Sequence, residues 1–424
     1  MENISEEKIS KLQVSQGTKN FFRQDDAVDF DQKLQLLKDK IRELFNLKNV
    51  NFLFGSGTSS GAIPTMSKLF DTLKWEDEKM ASEFNCIKDK AGNNLEKCLN
   101  VMYAAHTHYE GMTIENAEEA ELVKEKLSLY KGMIEVVEKH IFDSINVGFE
   151  KDTEKQVLEL YKTFYQKLAL RTKDNSRIRV FTTNNDLFSE MALDALNIHY
   201  INGFSGGIHK FFNPAIFNYT LSKRMDTSID KYEPVENMVY LYKIHGSVNW
   251  REAKEMSNNY FEIEEVPPLI DKGDNIPVLI YPTPTKQDKS LGSPYVDLFR
   301  EFQNKLLEPH SVLFVIGYSF SDRHVNDIIY RALATNSTIN VVVWGEKPDE
   351  SARKDKPIFF IDDNRIFIVN GEDNGKKVHY FDYIVNNLLP NLDAFRKEDD
   401  VLQKFVSELE KNKRGDEDRK NNIG

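Results

Sequence analysis

The feature that most constrains this chain is an apolar run at residues 50–54 that breaks directly into the glycine- and hydroxyl-rich stretch GSGTSSG. The run predicts a buried strand, and Gly55 and Gly57 after it allow the backbone to turn tightly and to approach a ligand without Cβ clashes. Amide groups at the start of the following helix would face an anion there. On its own, this pattern indicates either a phosphate-binding turn or an ordinary tight turn.

Strands and helices alternate along the rest of the chain. The apolar runs that predict strands are residues 50–54, 177–181, 199–201, 239–244, 276–281, 311–316, 340–344 and 366–369. The segments with helical spacing or composition are residues 31–47, 62–73, 115–142, 153–170, 187–196, 293–307, 323–334, 380–389 and 401–411. This alternation predicts an α/β fold with a Rossmann-like, mainly parallel sheet covered by helices on both faces.

The pattern also divides the chain into regions. Residues 1–30 are polar and without periodicity, which indicates a mobile arm, a segment for contacts between subunits, or a disordered tail. The Rossmann-like domain is predicted over residues 31–74 and 152–350. We interpret the charge-rich residues 75–151 as a helical insertion or small domain, and residues 351–424 as a C-terminal extension with a helical tail.

Composition excludes several classes of protein. A chain of 424 residues with 40% hydrophobic content can bury a real core. A formal net charge of −12 makes nucleic acid an unfavourable direct substrate, although a local basic groove remains possible. The beginning has no apolar signal core, and no run approaches the ~20 apolar residues that span a bilayer. We therefore expect a cytoplasmic protein without membrane contact.

The cysteines and histidines argue against a metal site. Cys86 and Cys98 are the two cysteines of the chain, too few for a disulfide framework or a four-cysteine zinc site. His106 and His108 could form a ligand pair, but no third ligand follows at a suitable spacing. We therefore predict no metal.

A second polar strand end follows the predicted strand at residues 177–181. The sequence there is TTNND, which contains Thr183, Asn184 and Asp186. Open α/β sheets place their ligand chemistry at the carboxyl ends of such strands. These three residues are equally good helix caps, so a purely local role stays open.

Three more strand ends carry small or polar residues. His245 follows a strand in the sequence HGSVNW, beside a glycine and a serine, and this position favours a functional role over a structural one. Gly317 and Ser319 follow the next buried strand in GYS, where small residues could approach a phosphate or a ribose. Glu346 lies just after the strand at residues 340–344.

The set GSGTS, TTNND, HGS and GYS, in that order, resembles the sirtuin family. The resemblance covers roughly residues 50–345, apart from the helical region between the first two motifs. It implies a sirtuin fold in which Asn184, Asp186 and His245 are catalytic. The residues that it implies for binding of the dinucleotide are Gly55, Ser56, Gly57, Thr58, Ser59, Thr183, Gly317, Ser319 and Glu346.

The chain also departs from the sirtuin protein deacylases. Those enzymes carry a four-cysteine zinc module after the catalytic histidine, whereas this chain has no cysteine beyond Cys98. They read GIPDFR after the glycine turn, where this chain has Thr65, Met66 and Ser67 in place of Asp, Phe and Arg. The departures remove parts that recognise acyl-lysine peptides. In this respect the chain resembles the sirtuin-like NADases of bacterial antiphage defence, including those encoded beside a HerA-type ATPase.

The resemblance implies a zinc-free NAD+ glycohydrolase that cleaves NAD+ to nicotinamide and ADP-ribose and depletes NAD+ during infection. It further implies a homo-oligomer and a possible HerA-type ATPase partner. Asn184 would orient the attacking water and the ribose hydroxyls, Asp186 would hold the carboxamide or stabilise developing charge, and His245 would accept a proton. Two other functions stay open: an NAD-dependent protein deacylase, and a non-catalytic sensor of NAD or ADP-ribose.

Overall fold

The computed structural model describes residues 10–22, 29–91, 95–113, 116–168, 176–225, 231–235, 237–253, 263–267, 277–279 and 293–390. The strands over these residues are β1 (Lys11–Gln16), β2 (Lys19–Asn20), β3 (Asn49–Phe54), β4 (Ile178–Thr182), β5 (His199–Ile201), β6 (Phe204–Ser205), β7 (Lys210–Phe212), β8 (Ser222–Arg224), β9 (Tyr232–Pro234), β10 (Met238–Lys243), β11 (Gly246–Glu252), β12 (Ile263–Glu265), β13 (Pro277–Leu279), β14 (Ser311–Ile316), β15 (Asn340–Trp344), β16 (Ile366–Asp373) and β17 (Lys376–Lys377).

The helices over the same residues are α1 (Phe30–Phe45), α2 (Met66–Thr72), α3 (Glu78–Ala91), α4 (Leu95–Glu110), α5 (Ala117–Ile145), α6 (Asp152–Leu168), α7 (Phe188–Ala195), α8 (Tyr295–Leu307), α9 (Arg323–Thr335) and α10 (Phe381–Tyr383), the last continuing as a π-helical turn over Ile384–Leu388. Short 3₁₀ turns lie at Ser56–Ser59, Pro214–Asn218, Glu350–Arg353 and Pro357–Phe360. None of the helices in the described part of the chain is both long and apolar enough to cross a membrane.

The main sheet has the strand order β2-β1-β16-β15-β14-β3-β4-β10-β5, and β17 pairs with β16. From β16 to β5 every neighbouring pair is parallel, whereas β1, β2 and β17 pair antiparallel. The predicted Rossmann-like, mainly parallel α/β fold is therefore confirmed. The chain starts the parallel part at β3, places β4, β10 and β5 on one side, and then crosses to β14 on the other side. Ligands of open α/β sheets bind at such a reversal of strand order.

The central parallel strands β3, β4 and β14 are buried at every position, which explains why they read as largely apolar runs. On one face, Phe52 of β3 stacks on Phe314 of β14 at 5.2 Å between ring centroids and meets Phe164 of α6 edge-on at 5.1 Å. On the other face, Leu53 lies in a second core that includes Phe302 of α8. Alternate residues of one strand thus anchor two layers of helices.

Helices α2 to α5 surround a third core, which includes the fully buried Leu99, Met133 and Val137. This arrangement agrees with the helical character predicted for residues 75–151. The same core contains Leu187, just before α7, and Val248 of β11. The helical region therefore packs directly against residues that follow two of the polar strand ends. The division of the chain into the four predicted regions stays a prediction.

A second, antiparallel sheet has the order β13-β11-β12-β7-β6, and its strands bear on two predictions. HGSVNW follows strand β10, as expected, but only His245 lies in the connection, because Gly246 already begins β11, in which Val248 and Trp250 are buried. Residues 251–274, for which the sequence predicts no strand or helix, contribute the end of β11 and the whole of β12. Trp250 of β11 and Ile263 of β12 pack in the second core.

One helix prediction also changes, and another is not tested. The helix expected over residues 62–73 begins only at Met66, because Thr65 caps it by accepting a hydrogen bond from the Lys68 amide at 3.4 Å. The 3₁₀ turn lies earlier in the chain, at Ser56–Ser59. The helix predicted over residues 401–411 lies outside the described residues.

The first strand corrects the expectation of a mobile N-terminal arm. β1 pairs antiparallel with β16, and Leu12 and Val14 are 4% and 3% exposed. Their neighbours Lys11 and Gln13 face solvent. Two apolar residues at a spacing of two are enough to dock a strand, but they are hidden within a segment that is polar on average.

We expect Val14→Asp to lower the free energy of unfolding by more than about 3 kcal/mol, because it buries an unpaired carboxylate. Gln13→Asp is the matched control on the solvent side of the same strand and should cost less than about 1 kcal/mol. Denaturant unfolding of both variants measures the difference. Equal stabilities would show that β1 is not docked on the sheet.

Candidate functional site

The strand ends that carry GSGTS, TTNND, HGS and GYS meet around one cavity of about 200 Å³. β14 and β3 lie side by side where the strand order reverses, followed by β4 and β10. The predicted site residues that line the cavity are Ser56, Ser59, Thr183, Asn184, Asp186, His245 and Ser319. The structure therefore brings together side chains from all four motifs.

Apolar side chains close the opposite wall of the cavity. Ile63, Pro64, Met66 and Leu69 come from α2 and the segment before it, and Ile145 comes from the end of α5. Three of these residues, Ile63, Pro64 and Met66, belong to GAIPTMSK, the stretch that departs from the deacylase pattern. A cavity with one polar and one apolar wall suits a ligand that combines a flat ring with hydroxyl groups.

The glycines lie behind the polar wall, where two turns press against each other. Gly55 donates its amide proton to the carbonyl of Ile316 at 3.0 Å, and Gly57 donates to the carbonyl of Gly317 at 2.9 Å. A Cβ on Gly317 would lie 2.6 Å from the Thr58 nitrogen, and its φ of +66° also favours glycine. The glycines therefore permit contact between two turns of the protein, and their predicted contact with a ligand stays a prediction.

A network of hydroxyl groups orients Asn184. Its Nδ2 donates to Thr58 Oγ1 at 3.0 Å and to Ser59 Oγ at 3.2 Å. The Tyr161 hydroxyl, from α6, lies 2.7 Å from Thr58 Oγ1, and Ser59 donates to Asp186 Oδ2 at 2.7 Å. With the amide NH2 engaged by two hydroxyls, the acceptor Oδ1 is the polar atom that Asn184 has for the cavity.

Asp186 combines two local tasks. It is 6% exposed, and while Oδ2 accepts from Ser59, Oδ1 accepts from the Phe188 amide at 3.2 Å, within the first turn of α7. Burial raises the pKa of Asp186, while the charge of Lys243 and the hydrogen bond from Ser59 oppose that rise. Asp186 thus forms a local turn just before α7, whose N-cap residue is Leu187, whereas Thr183 donates to the carbonyl of Phe54.

His245 lies immediately beyond β10, opposite a carboxylate. Its Nε2 is 3.0 Å from Asp322 Oδ2, and both side chains are 10% exposed. The contact is not aligned as a hydrogen bond, so its attraction is that of an ion pair when the imidazole is protonated. Asn185 Nδ2 donates to the carbonyls of His245 at 2.7 Å and Gly246 at 3.1 Å, which fixes the backbone beneath the ring.

Asp322 itself is held by the helix that it begins. Its Oδ1 accepts hydrogen bonds from the amides of His324 at 2.9 Å and Val325 at 3.3 Å, as the N-cap of α9. Oδ2 is thereby turned toward His245. One carboxylate therefore caps a helix and faces the imidazole.

Glu346 does not line the cavity. It pairs with Lys377 of β17 at 2.9 Å between Nζ and Oε1, and this contact lowers the pKa of the Glu346 carboxyl. Ser319 does line the cavity, and its hydroxyl lies 2.9 Å from that of Ser321. Over the described residues, no group of three or more His, Cys, Asp or Glu is arranged to hold a metal ion.

Sequence reasoning missed three residues of this site, namely Tyr161, Lys243 and Asp322. Tyr161 belongs to an amphipathic helical pattern, which marks it as core. Lys243 is a charged residue within the apolar run YLYKI, an exception that could have been noticed. Asp322 precedes a predicted helix in SFSD, and this position indicates a helix cap. It gives no indication of a contact with His245, which lies 77 positions away in the chain.

Comparison with known families agrees with this geometry. Residues 178–366 match the model of the SIR2-like domain. The matched segment runs from β4 into β16, so it contains TTNND, HGS and GYS but not the first glycine turn. The match supports a Sir2-related family and an NAD-related function. Among curated proteins, none matches this chain.

We expect Gly317→Ala to cost about 1–3 kcal/mol of stability, because it imposes a positive φ on alanine and presses Cβ against Thr58. Gly345→Ala, at the end of the neighbouring strand β15, is the matched control. A Cβ there would meet its nearest atom, on the Phe359 ring, at 3.8 Å, so we expect a change below about 0.5 kcal/mol. Thermal unfolding distinguishes the two, and equal effects would contradict the tight contact between the turns.

Proposed function

We propose that this protein is an NAD+ glycohydrolase, in which water cleaves the bond between the nicotinamide nitrogen and ribose C1′. The observation that carries the proposal is that Asn184 and His245, delivered by the adjacent strands β4 and β10, line one cavity at the reversal of strand order. The match to the SIR2-like domain supports an NAD-related substrate for it.

The reaction sets modest chemical demands. The positively charged nicotinamide leaves with the bonding electron pair and becomes neutral, so its departure needs little acid catalysis. The enzyme instead has to position the ribose and a water molecule against an oxocarbenium-like centre. Attack of water at C1′ yields ADP-ribose and releases one proton.

The residues of the cavity suit these demands. Asn184 Oδ1 would accept a hydrogen bond from the attacking water or a ribose hydroxyl, because its NH2 group is engaged by Thr58 and Ser59. His245 would accept the released proton, directly or through a ribose hydroxyl. Asp322, at 3.0 Å, would stabilise the resulting imidazolium. Asp186 would act through Ser59, since both of its oxygens already accept hydrogen bonds.

The size of the cavity indicates which end of NAD+ it would hold. At about 200 Å³ it is smaller than the ~300–1,000 Å³ typical of pockets that enclose whole cofactors. We propose that it takes the nicotinamide and its ribose, and that the pyrophosphate and adenosine extend past Ser56 and Ser319. Glu346 would contact the adenosine only if its pair with Lys377 opens.

The biological setting is proposed from the resemblance of the four motifs alone. By that resemblance, the protein forms a homo-oligomer and depletes NAD+ in antiphage defence, with a HerA-type ATPase as a possible partner. A cytoplasmic location is part of the same proposal. The same resemblance keeps an NAD-dependent protein deacylase and a non-catalytic sensor as the alternative functions.

One experiment separates these functions. The purified chain is incubated with NAD+, alone, with an acetyl-lysine peptide, and with a HerA-type ATPase, and the products are resolved chromatographically. ADP-ribose formed without peptide supports the glycohydrolase. Nicotinamide release that depends on the peptide indicates a deacylase, and NAD+ binding without turnover under every condition indicates a sensor.

We expect Asn184→Ala and His245→Ala each to lower nicotinamide release by about a hundredfold or more, the usual scale for groups that position or deprotonate a reactant. His199→Ala, on the exposed strand β5, is the control and should leave the rate unchanged. Full activity in both site variants would refute the assignment.

The role of Asp322 is tested by a pair of variants. Asp322→Asn keeps an oxygen that caps α9 but removes the charge, so we expect a near-normal Tm with a kcat lowered about ten- to a hundredfold. Asp322→Ala should show the same loss of kcat together with about 1 kcal/mol of lost stability. A kcat in Asp322→Asn equal to that of the wild type would rule out stabilisation of the imidazolium.

A further inference from the structure

Lys243 is a buried charge directly behind the site. It is the last residue of β10, two positions before His245, and is 1% exposed. A charge so far from water is costly unless paired groups compensate it. The groups that pair with the Lys243 ammonium therefore show which part of the protein it stabilises.

The ammonium group of Lys243 contacts one short segment of the chain. The Lys243 Nζ is 2.9 Å from Glu190 Oε1, donates a short hydrogen bond to the carbonyl of Asp186, and lies 3.4 Å from the carbonyl of Asn185. A lysine ammonium has three protons to donate, and here three acceptors lie between residues 185 and 190. The ammonium thus links the turn that follows β4 to the first turns of α7.

Electrostatics couple the same lysine to the polar wall of the cavity. Burial raises the pKa values of both Asp186 and Glu190, and the charge of Lys243 opposes both rises. The other ionisable groups around Asp186 are Tyr161 and Tyr165 of α6, whose phenol pKa values are raised by burial and by the Asp186 charge. Lys243 is therefore the positive charge that favours an ionised Asp186.

We propose that Lys243 is a positioning residue for NAD+ cleavage, which holds the turn at residues 184–186 and maintains Asp186 as an anionic acceptor. The inference rests on the proposed function. An ionised Asp186 accepts a hydrogen bond from the Ser59 hydroxyl, and the Ser59 oxygen in turn accepts a hydrogen bond from Asn184 Nδ2. The ammonium thus orients the Asn184 amide through two intervening side chains, without touching the substrate.

The alternative is that the Lys243–Glu190 pair only stabilises the fold. Two comparisons separate this from a positioning role. Lys167 of α6 is a second buried lysine, 5% exposed, and it does not line the cavity. Its Nζ donates a hydrogen bond of 2.6 Å to the carbonyl of Val385. Lys167→Met therefore reports what the loss of a buried ammonium does elsewhere in the fold. The double variant Lys243→Met/Glu190→Gln removes both partners of the pair, which commonly costs far less stability than removing one.

The experiment measures Tm, NAD+ affinity by calorimetry, and kcat and KM for nicotinamide release across a range of pH. We expect Lys243→Met/Glu190→Gln to regain most of the Tm lost in Lys243→Met, yet to keep a kcat lowered about ten- to a hundredfold, the scale of a misplaced reacting group. Its acidic limb of kcat should lie at higher pH than in the wild type, because the carboxyl of Asp186 has lost its counter-charge. Lys167→Met should lose Tm with kcat unchanged.

Each contrary result has a separate meaning. If the wild type cleaves NAD+ and the double variant matches its kcat and its pH profile, the positioning role is refuted while the proposed function stands. If the wild type binds NAD+ without cleaving it, the NAD+ affinity measured by calorimetry tests the positioning role of Lys243. That role is overturned if the double variant binds NAD+ as tightly as Lys167→Met does. A wild-type chain that neither binds nor cleaves NAD+ overturns both inferences.

Discussion

The close approach of two turns is the constraint on which the rest of the site depends. Backbone hydrogen bonds join Gly55 and Gly57 to the end of β14, and no side chain larger than a hydrogen fits between the two turns at Gly317. The two strands are more than 250 residues apart in the chain. The contact between the turn after β3 and the turn after β14 holds two site residues near each other. Ser59 follows Gly57 in the first turn, and the helix cap Asp322 follows Gly317 in the second.

Buried charge is arranged in two layers around that contact. In front, His245 and Asp322 face each other at the cavity, and behind the wall Lys243 and Glu190 pair out of reach of solvent. The attraction between two charges at a given distance is stronger in such buried surroundings than at the surface, because the effective dielectric constant is lower. The His245–Asp322 pair lies where the proposed reaction would change the charge of a side chain. The Lys243–Glu190 pair lies beside Asp186, whose charge should stay constant during that reaction.

The sequence predicted the parallel sheet well because a strand that is buried on both faces must be apolar at every position, as in the run SVLFVI of β14. It missed β1, where only Leu12 and Val14 face the core. It also placed the polar strand ends together correctly, since parallel strands end at one edge. Lys243 and Tyr161 escaped because their partners lie 57 and 103 residues away, and local patterns carry no record of such contacts.

The third core links the two walls of the cavity to helices α2 to α5. Leu187 follows Asp186 directly, Val248 lies three residues beyond His245, and both are packed among helices α2 to α5 together with Leu69 from the cavity wall. The two walls of the cavity are thus parts of one cooperative unit. Local unfolding of that unit would release both walls at once, so the amide protons of α4 and α5 should exchange with solvent in step with those around the cavity.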